Sequence, residues 1–351
     1  MTVENIAQSI TPSRLATYER CFSTRDTTEC LGLYIWNKRV SAEFLPVLQI
    51  LEVSLRNAVC SGHAALSREE LTKKGVAHED VEGQLDLLWF KSFFDAASHT
   101  GKYKISKKAI NDATVKLEKE GLAVTANNLI PLLTFGVWSH ICQEHDETSA
   151  DSLKLWPKMM HHAFPGSKIT HGEVVRILRV VNKLRNRIAH HEPIWYSKEL
   201  YGVKAHLNKV INMYKDCLVL IKAINPSNLK AIELVKSHES LTNLCTVTSI
   251  NTFKAMATNI ETIPVINIDS WYRSQKLSVV VKGEIASING VVVKIRLLDE
   301  PGTGLFEVES NERAVKQGLR QLYVGEIVNF VPGRRGTKLL ATKVHYGLPQ
   351  N

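Results

Sequence analysis

Leu184-Arg185-Asn186-Arg187-Ile188-Ala189-His190-His191-Glu192-Pro193 decides how this chain is read. Upstream of it, from about His171, apolar residues recur every three or four positions, the period of an amphipathic helix. On a wheel advancing about 100° per residue, Ile177, Val181, Leu184 and Ile188 fall within about 60° and form the packing face. Asn186 and His190 lie almost opposite, grouped with Arg179 and Lys183, while Arg185 and Arg187 take the two flanks. The polar cluster thus points away from the protomer's own core, toward solvent or another subunit. Arg offers a planar, permanently charged fork that suits phosphate, and His titrates near neutral pH. Such groups can hold and cleave a phosphodiester without a metal. The plainer alternative is a solvated helix end whose cations complement the helix dipole.

Outward from this stretch, residues 1 to about 235 read as helical. Thr11-Pro12-Ser13-Arg14 is a helix start. Phe44, Leu48, Leu51, Leu55 and Val59 form one apolar stripe, with Glu52 and Arg56 beside it at the spacing of an i,i+4 pair. Leu85, Leu87, Leu88, Trp89, Phe90, Phe93 and Phe94 mark an aromatic-rich core piece, 102–121 a Lys-rich amphipathic helix, and 127–142 a buried helix containing Phe135 and Trp138. A further amphipathic helix covers 200–224. From about residue 225 the pattern loosens, so 236–275 is expected to be a helical and loop connector.

From Lys276 the period changes from 3.6 to 2. Strands are expected over Leu277–Ile288, Val291–Leu298, Leu305–Val308, Tyr323–Val331 and Lys338–His345, with a helix over Asn311–Leu322. Asn289-Gly290 is a favoured hairpin turn, and Pro332–Gly336 the last loop. Three strands, a helix and two strands in about 70 residues is the order of an OB-fold barrel. The fold class is therefore multidomain α + β: a helical bundle over 1–235, then a small OB-like barrel over 276–351.

The 351 residues carry a formal charge of +9, which suits an anionic partner without demanding one. From Lys276 on there are 11 Lys/Arg against 7 Asp/Glu, a net of +4. The six cysteines are scattered without a C-x-x-C, which argues against a disulfide framework and a cysteine zinc site. No signal peptide opens the sequence, and runs such as 217–221 are far too short for a membrane span, so a cytoplasmic protein with no membrane partner is expected.

Four motifs in order resemble the Abi-like (abortive infection) proteins of the HEPN superfamily. They are Tyr34-x-Trp36-Asn37, Leu51-Glu52-x-x-Leu55-Arg56-Asn57, Leu132-x-x-Phe135-Gly136-x-Trp138, and the run Leu184 to Ile194. The resemblance covers about residues 10 to 235 and leaves out the barrel. It implies an all-α domain that dimerises and works as a metal-independent endoribonuclease, in phage defence or a toxin-like role. The family's R-x(4–6)-H signature falls on Arg185 and His190, with Asn186 as the polar residue after the Arg. Signature helices of two protomers would then form one composite site. His190 would act as general base or acid in 2′-OH attack, leaving a cyclic phosphate and a 5′-OH. Arg185 would hold the scissile phosphate, and Asn186 would donate a hydrogen bond or orient His190. Glu52 either orients an Arg from the adjacent helix or pairs with Arg56.

Supporting parts fall to Arg187 and to His191, read as a helix-end capping residue. Arg179 and Lys183, with Lys294, Arg296, Arg334 and Arg335 of the barrel, are candidate RNA contacts; a protein-contact role for the barrel is the alternative. Its Tyr323, Phe306 and Phe330 should be mostly core, as should Trp36, Trp138 and Trp156. No cofactor or metal is expected. The tandem histidines 161–162 and 190–191 should diverge along a helix, with no carboxylate at ligand spacing. RNA, a second copy of the chain and a possible regulatory or inhibitory partner complete the expectations. The rival reading is a non-catalytic RNA-binding or toxin–antitoxin-type interaction protein.

Overall fold

A computed structural model describes residues 3–96, 101–143, 155–268, 281–290, 292–308 and 322–345. The described residues divide into two units, 1–263 and 264–351.

The first unit is helical: α1 (Val3–Ile10), α2 (Pro12–Phe22), α3 (Thr27–Lys73), α4 (His78–Val81), α5 (Trp89–Ala96), α6 (Gly101–Lys119) and α7 (Ala126–Leu129) come first. They are followed by α8 (Phe135–Ile141), α9 (Met160–Ala163), α10 (His171–Ala189), α11 (Val203–Ile224), α12 (Leu229–Val235), α13 (Ser237–Leu244) and α14 (Val247–Thr258). The 47-residue α3 is the axis of this unit. Asp26 caps it through Thr28 N, and it runs through Pro46, whose missing N–H removes one interior hydrogen bond. The stripe Phe44, Leu48, Leu51, Leu55, Val59 is buried along it, as is Trp36. Trp89, Phe90, Phe93 and Phe94 of α5 are buried too, in edge-to-face contact with one another and with Trp138.

Two expectations are corrected here. The buried helix expected over 127–142 is broken into α7, a 3-10 turn over Ile130–Leu132 and α8. Pro131 cannot donate to a preceding carbonyl, and Leu133 is extended, so the helix restarts at Thr134. The connector expected over 236–275 is helical to Thr258, and the first unit runs to Ile263. At Gly32 of α3 an added Cβ would lie 2.5 Å from the Phe253 carbonyl, so α14 lies directly on α3. Lys254 pairs with Glu29 at 2.9 Å, and Trp36 Nε1 donates to Leu244 O at 2.9 Å. Much of the Ser/Thr/Asn richness that reads as a connector is the solvent side of these helices, which bury Leu241, Ile250 and Ala257.

In the second unit, β1 (Val281–Asn289), β2 (Val292–Leu297), β3 (Leu305–Val308), β4 (Ile327–Arg335) and β5 (Lys338–His345) close into a barrel of order β1-β2-β3-β5-β4. Among the described residues β3 and β5 are the one parallel pair. This is the OB-like arrangement expected. Gly290, at φ 61°, makes the β1–β2 turn. Strand β4 continues through Pro332–Arg335, where a loop was expected, paired residue by residue with β5 and turning only at Gly336. The expected helix over 311–322 lies outside the described residues, apart from Leu322. The core holds Ile285, Val293, Ile295, Phe306, Val328 and Phe330, while Tyr323 is exposed.

Candidate functional site

Helix α10 begins at a capping box. Glu173 N donates to Thr170 Oγ1 at 3.2 Å, and Thr170 N donates to the Glu173 carboxylate at 3.0 Å. Ile177, Val181 and Leu184 are buried and Ile188 packs at the core margin, so the apolar face reads as its period requires. Arg179, Lys183, Asn186 and His190 are exposed on the opposite side. Arg176 fixes α10 against α11 by two hydrogen bonds of 2.9 Å to Asp216.

The helix ends in a complete Schellman arrangement. Glu192 N donates to Arg187 O at 2.8 Å and His191 N to Ile188 O at 3.1 Å, with His191 left-handed at φ 59°. His191 thus does the capping expected of it, in a conformation for which Gly is the usual residue and His an enriched substitute. His191→Val should lower stability by about 1–2 kcal/mol, whereas His191→Gly should leave the melting temperature unchanged or higher. Thermal unfolding of both variants checks this; equal melting of the two would remove the strain argument.

The segment after the cap is held from several elements. Arg14 of α2 donates to His190 O at 3.2 Å and His191 O at 3.3 Å, and Lys38 of α3 reaches His191 O at 3.2 Å. The fully buried Asn37 accepts from Ile194 N at 3.1 Å and donates to Glu192 O at 3.3 Å. Arg187 donates to Pro193 O at 3.3 Å and Tyr196 O at 2.6 Å, so this flank of α10 braces the loop.

Between α10, this loop and α11 lies an open groove of about 1070 Å³. Lys183, Asn186, Arg187 and His190 line it from α10, and Lys209 from α11. Glu192, Glu199 and Asp216 also line it, but Asp216 is occupied by Arg176 and Glu199 by Ser197. His190 borders a second cleft of about 430 Å³ as well, with Arg14, Tyr18 and Tyr34. Arg185 is on the other flank. Its Nε lies 3.4 Å from Glu52 Oε2 of α3, so Glu52 engages the adjacent helix's Arg and not Arg56. Arg56 Nε is buried without a hydrogen-bond partner. Arg185 and His190 are five residues apart, about 140° around the helix, and do not line one groove in a single protomer.

Lys209 escapes sequence reasoning. Its half-buried amine donates to Tyr196 O at 2.6 Å. Burial first, then the Arg187 and Lys183 charges, push its pKa down to about 8 against the opposing pull of Glu199. Its position just off the apolar stripe of α11, beside Leu207 and Val210, is the only signal in the sequence. An unfolded lysine keeps its proton to about 10.4, so between pH 8 and that value the unfolded state binds more protons. Stability of the wild type relative to Lys209→Met should therefore rise with pH across this window. Urea unfolding of both proteins at several pH values measures the difference; a flat difference would show that Lys209 titrates normally.

In the barrel the expected RNA contacts lie on β2 (Lys294, Arg296) and at the β4–β5 turn (Arg334, Arg335). Lys294 is paired in register with Glu307, which also holds Lys338 at 2.6 Å, and Arg296 stands opposite Glu284. Arg334 Nε donates to Gly336 O at 3.0 Å, and both Arg334 and Arg335 are exposed on the β4–β5 turn. Cross-strand acids offset the β2 cations. All six cysteines are free, and burial pushes the Cys30 thiol up to about 11 and that of Cys60 up to about 12. Among the described residues no helix is long and apolar enough to cross a membrane.

No curated protein and no solved structure matches the chain. The sequence matches the family described as Abi-like protein over residues 8–196, a span that contains α2, α3, the whole of α10 and the loop pinned by Asn37. Covering more than half of the chain, Arg185, Asn186 and His190 included, that match makes this chain a member of the Abi-like protein family.

Proposed function

We propose that this protein is a metal-independent endoribonuclease of HEPN type, acting in abortive infection, as the family's description suggests, or in a toxin-like role. The observation that carries the reading is the outward face of α10, with Asn186 and His190 in a groove also lined by Lys183, Arg187 and Lys209. His190, exposed at the helix end, moves the proton of the RNA 2′-OH or of the leaving 5′ oxygen. Arg185, steadied through Nε by Glu52, presents its remaining N–H groups to the phosphate and to charge developing on it. Because Arg185 and His190 sit on different flanks of one helix, the complete site is assembled from two protomers, Arg185 of each facing His190 of the other. The requirement for a 2′-OH makes RNA, not DNA, the substrate.

The test incubates wild type and His190→Ala with total RNA in EDTA and maps the ends. Wild type should leave cyclic phosphates and 5′-hydroxyls, and His190→Ala should be slower by about 10²–10⁴-fold. Intact RNA with wild type, or equal cutting by the variant, removes the catalytic reading; RNA that is bound but uncut would favour the non-catalytic one.

A further inference from the structure

The tandem histidines of α9 do not diverge as expected for neighbours on a helix. Their ring centroids are 3.8 Å apart, and both Nε2 atoms approach one oxygen of Glu69 on α3, His162 at 3.1 Å and His161 at 3.9 Å. The divergence argument fails because α9 is a single turn, leaving both side chains free to lean toward the same helix. What brings that turn so close is Gly62. Its added Cβ would stand 3.1 Å from Met159 Cγ and 3.2 Å from Ala163 Cβ, so the absence of a side chain seats α9 on α3. Gly62, Leu66 and Glu69 follow the i, i+4, i+7 spacing of one helix face, which places the carboxylate under the two imidazoles.

We infer that Glu69, His161 and His162 form a binding site for a divalent transition metal, zinc foremost, separate from the groove that holds His190. Three observations carry this. First, the three ligand atoms all lie within 4.8 Å of one another. Tetrahedral zinc with bonds of about 2.0–2.1 Å sets its donors about 3.3 Å apart. The two carboxylate–imidazole separations, 3.1 and 3.9 Å, bracket that value. Second, His162 Nε2 is shielded from water and has no hydrogen-bond partner, although it lies beside the carboxylate. A buried ring nitrogen left this way is costly, and a metal bond would satisfy it. Third, among the described residues no side-chain cation fills the position. The other His/Glu cluster among the described residues, Glu233-His238-Glu239, contrasts on this point, because Lys236 Nζ sits between its carboxylates at 2.5 and 3.0 Å. Beside Glu69 the nearest such group is Lys73, 4.0 Å away and largely solvated.

Two imidazoles and one carboxylate are borderline donors that favour Zn²⁺, Cu²⁺ or Ni²⁺ over Mg²⁺ or Ca²⁺. Three protein ligands leave one position for water. The bound ion would staple α9 to the end of α3 and brace the framework ahead of α10. It has no part in RNA cleavage, so the two readings stand or fall separately.

Untagged full-length protein is titrated with Zn²⁺ in competition with a chromophoric chelator, and its melting temperature is followed with and without the ion. Wild type should take up one tight equivalent and melt higher with zinc, because an ion that binds only the folded state stabilises it. H161A/H162A and E69Q should each weaken that site by about tenfold or more, and lose the zinc-induced rise in melting temperature. E69Q alters one exposed carboxylate and decides the matter alone if the double variant does not fold. Absence of chelator-competitive binding at about 100 μM Zn²⁺, or wild-type affinity in E69Q, overturns the proposal.

Discussion

Asn37→Leu should lower the stability of the helical unit by about 2–4 kcal/mol, although it keeps the branched shape of the side chain. Asn37 is fully buried and uses both ends of its carboxamide on one loop, accepting from Ile194 N and donating to Glu192 O. Leucine can do neither. Ile194 is itself fully buried, so its N–H would have no water to turn to, and an orphaned buried amide costs about 1–3 kcal/mol alone. For a unit of this size that corresponds to a fall in melting temperature of roughly 5–10 °C. The loop in question carries His190 into place, so cleavage should fall with it even well below the melting temperature. Thermal unfolding of Asn37→Leu measures the first effect. A melting temperature within a degree or two of wild type would mean that the loop is held by Arg14, Lys38 and Arg187 without help from Asn37.

Arg185→Ala should reduce RNA cleavage by about 10²–10³-fold, the usual loss when a donor to developing transition-state charge is removed. Glu52→Gln should cost less, about tenfold, because it leaves the guanidinium in place and only loosens its orientation. The pair makes a sharper test than either variant alone. If Glu52 acts only through Arg185, the double variant should be no slower than Arg185→Ala, since the two residues work as one unit. Losses that multiply in the double variant would give Glu52 a task of its own and undo the positioning argument. The values needed are kcat/KM for the four proteins on one RNA substrate, with wild type as the reference.

The sequence by itself determined a good deal of this protein. Period 3.6 placed the buried face of α10 and the stripe of α3, and period 2 placed the barrel, because side-chain direction in a regular element follows from position alone. The same rule turned Asn186 and His190 outward. The motifs Tyr34-x-Trp36-Asn37 and Leu51-Glu52 marked residues worth attention without saying what they touch. That was decided by the tertiary structure, because each makes its contact across a large gap in sequence: Asn37 with Ile194, Glu52 with Arg185, Trp36 with Leu244. Local patterns carry no information on which helix lies beside which. Hence it is the adjacency of α3 and α10 that pairs Glu52 with Arg185, and the placement of α11 that brings Lys209 to the groove. Polar helices lying on α3 resemble a linker when read alone, yet the first unit runs past residue 236 to Ile263. The opening stretch, Leu184 to Pro193, divides along this line. Its helix, its outward polar face and its capping end follow from ten residues of sequence. Which partner each charged group takes, and that Arg185 and His190 lie on different flanks with different neighbours, required the packing of α2, α3 and α11 around it.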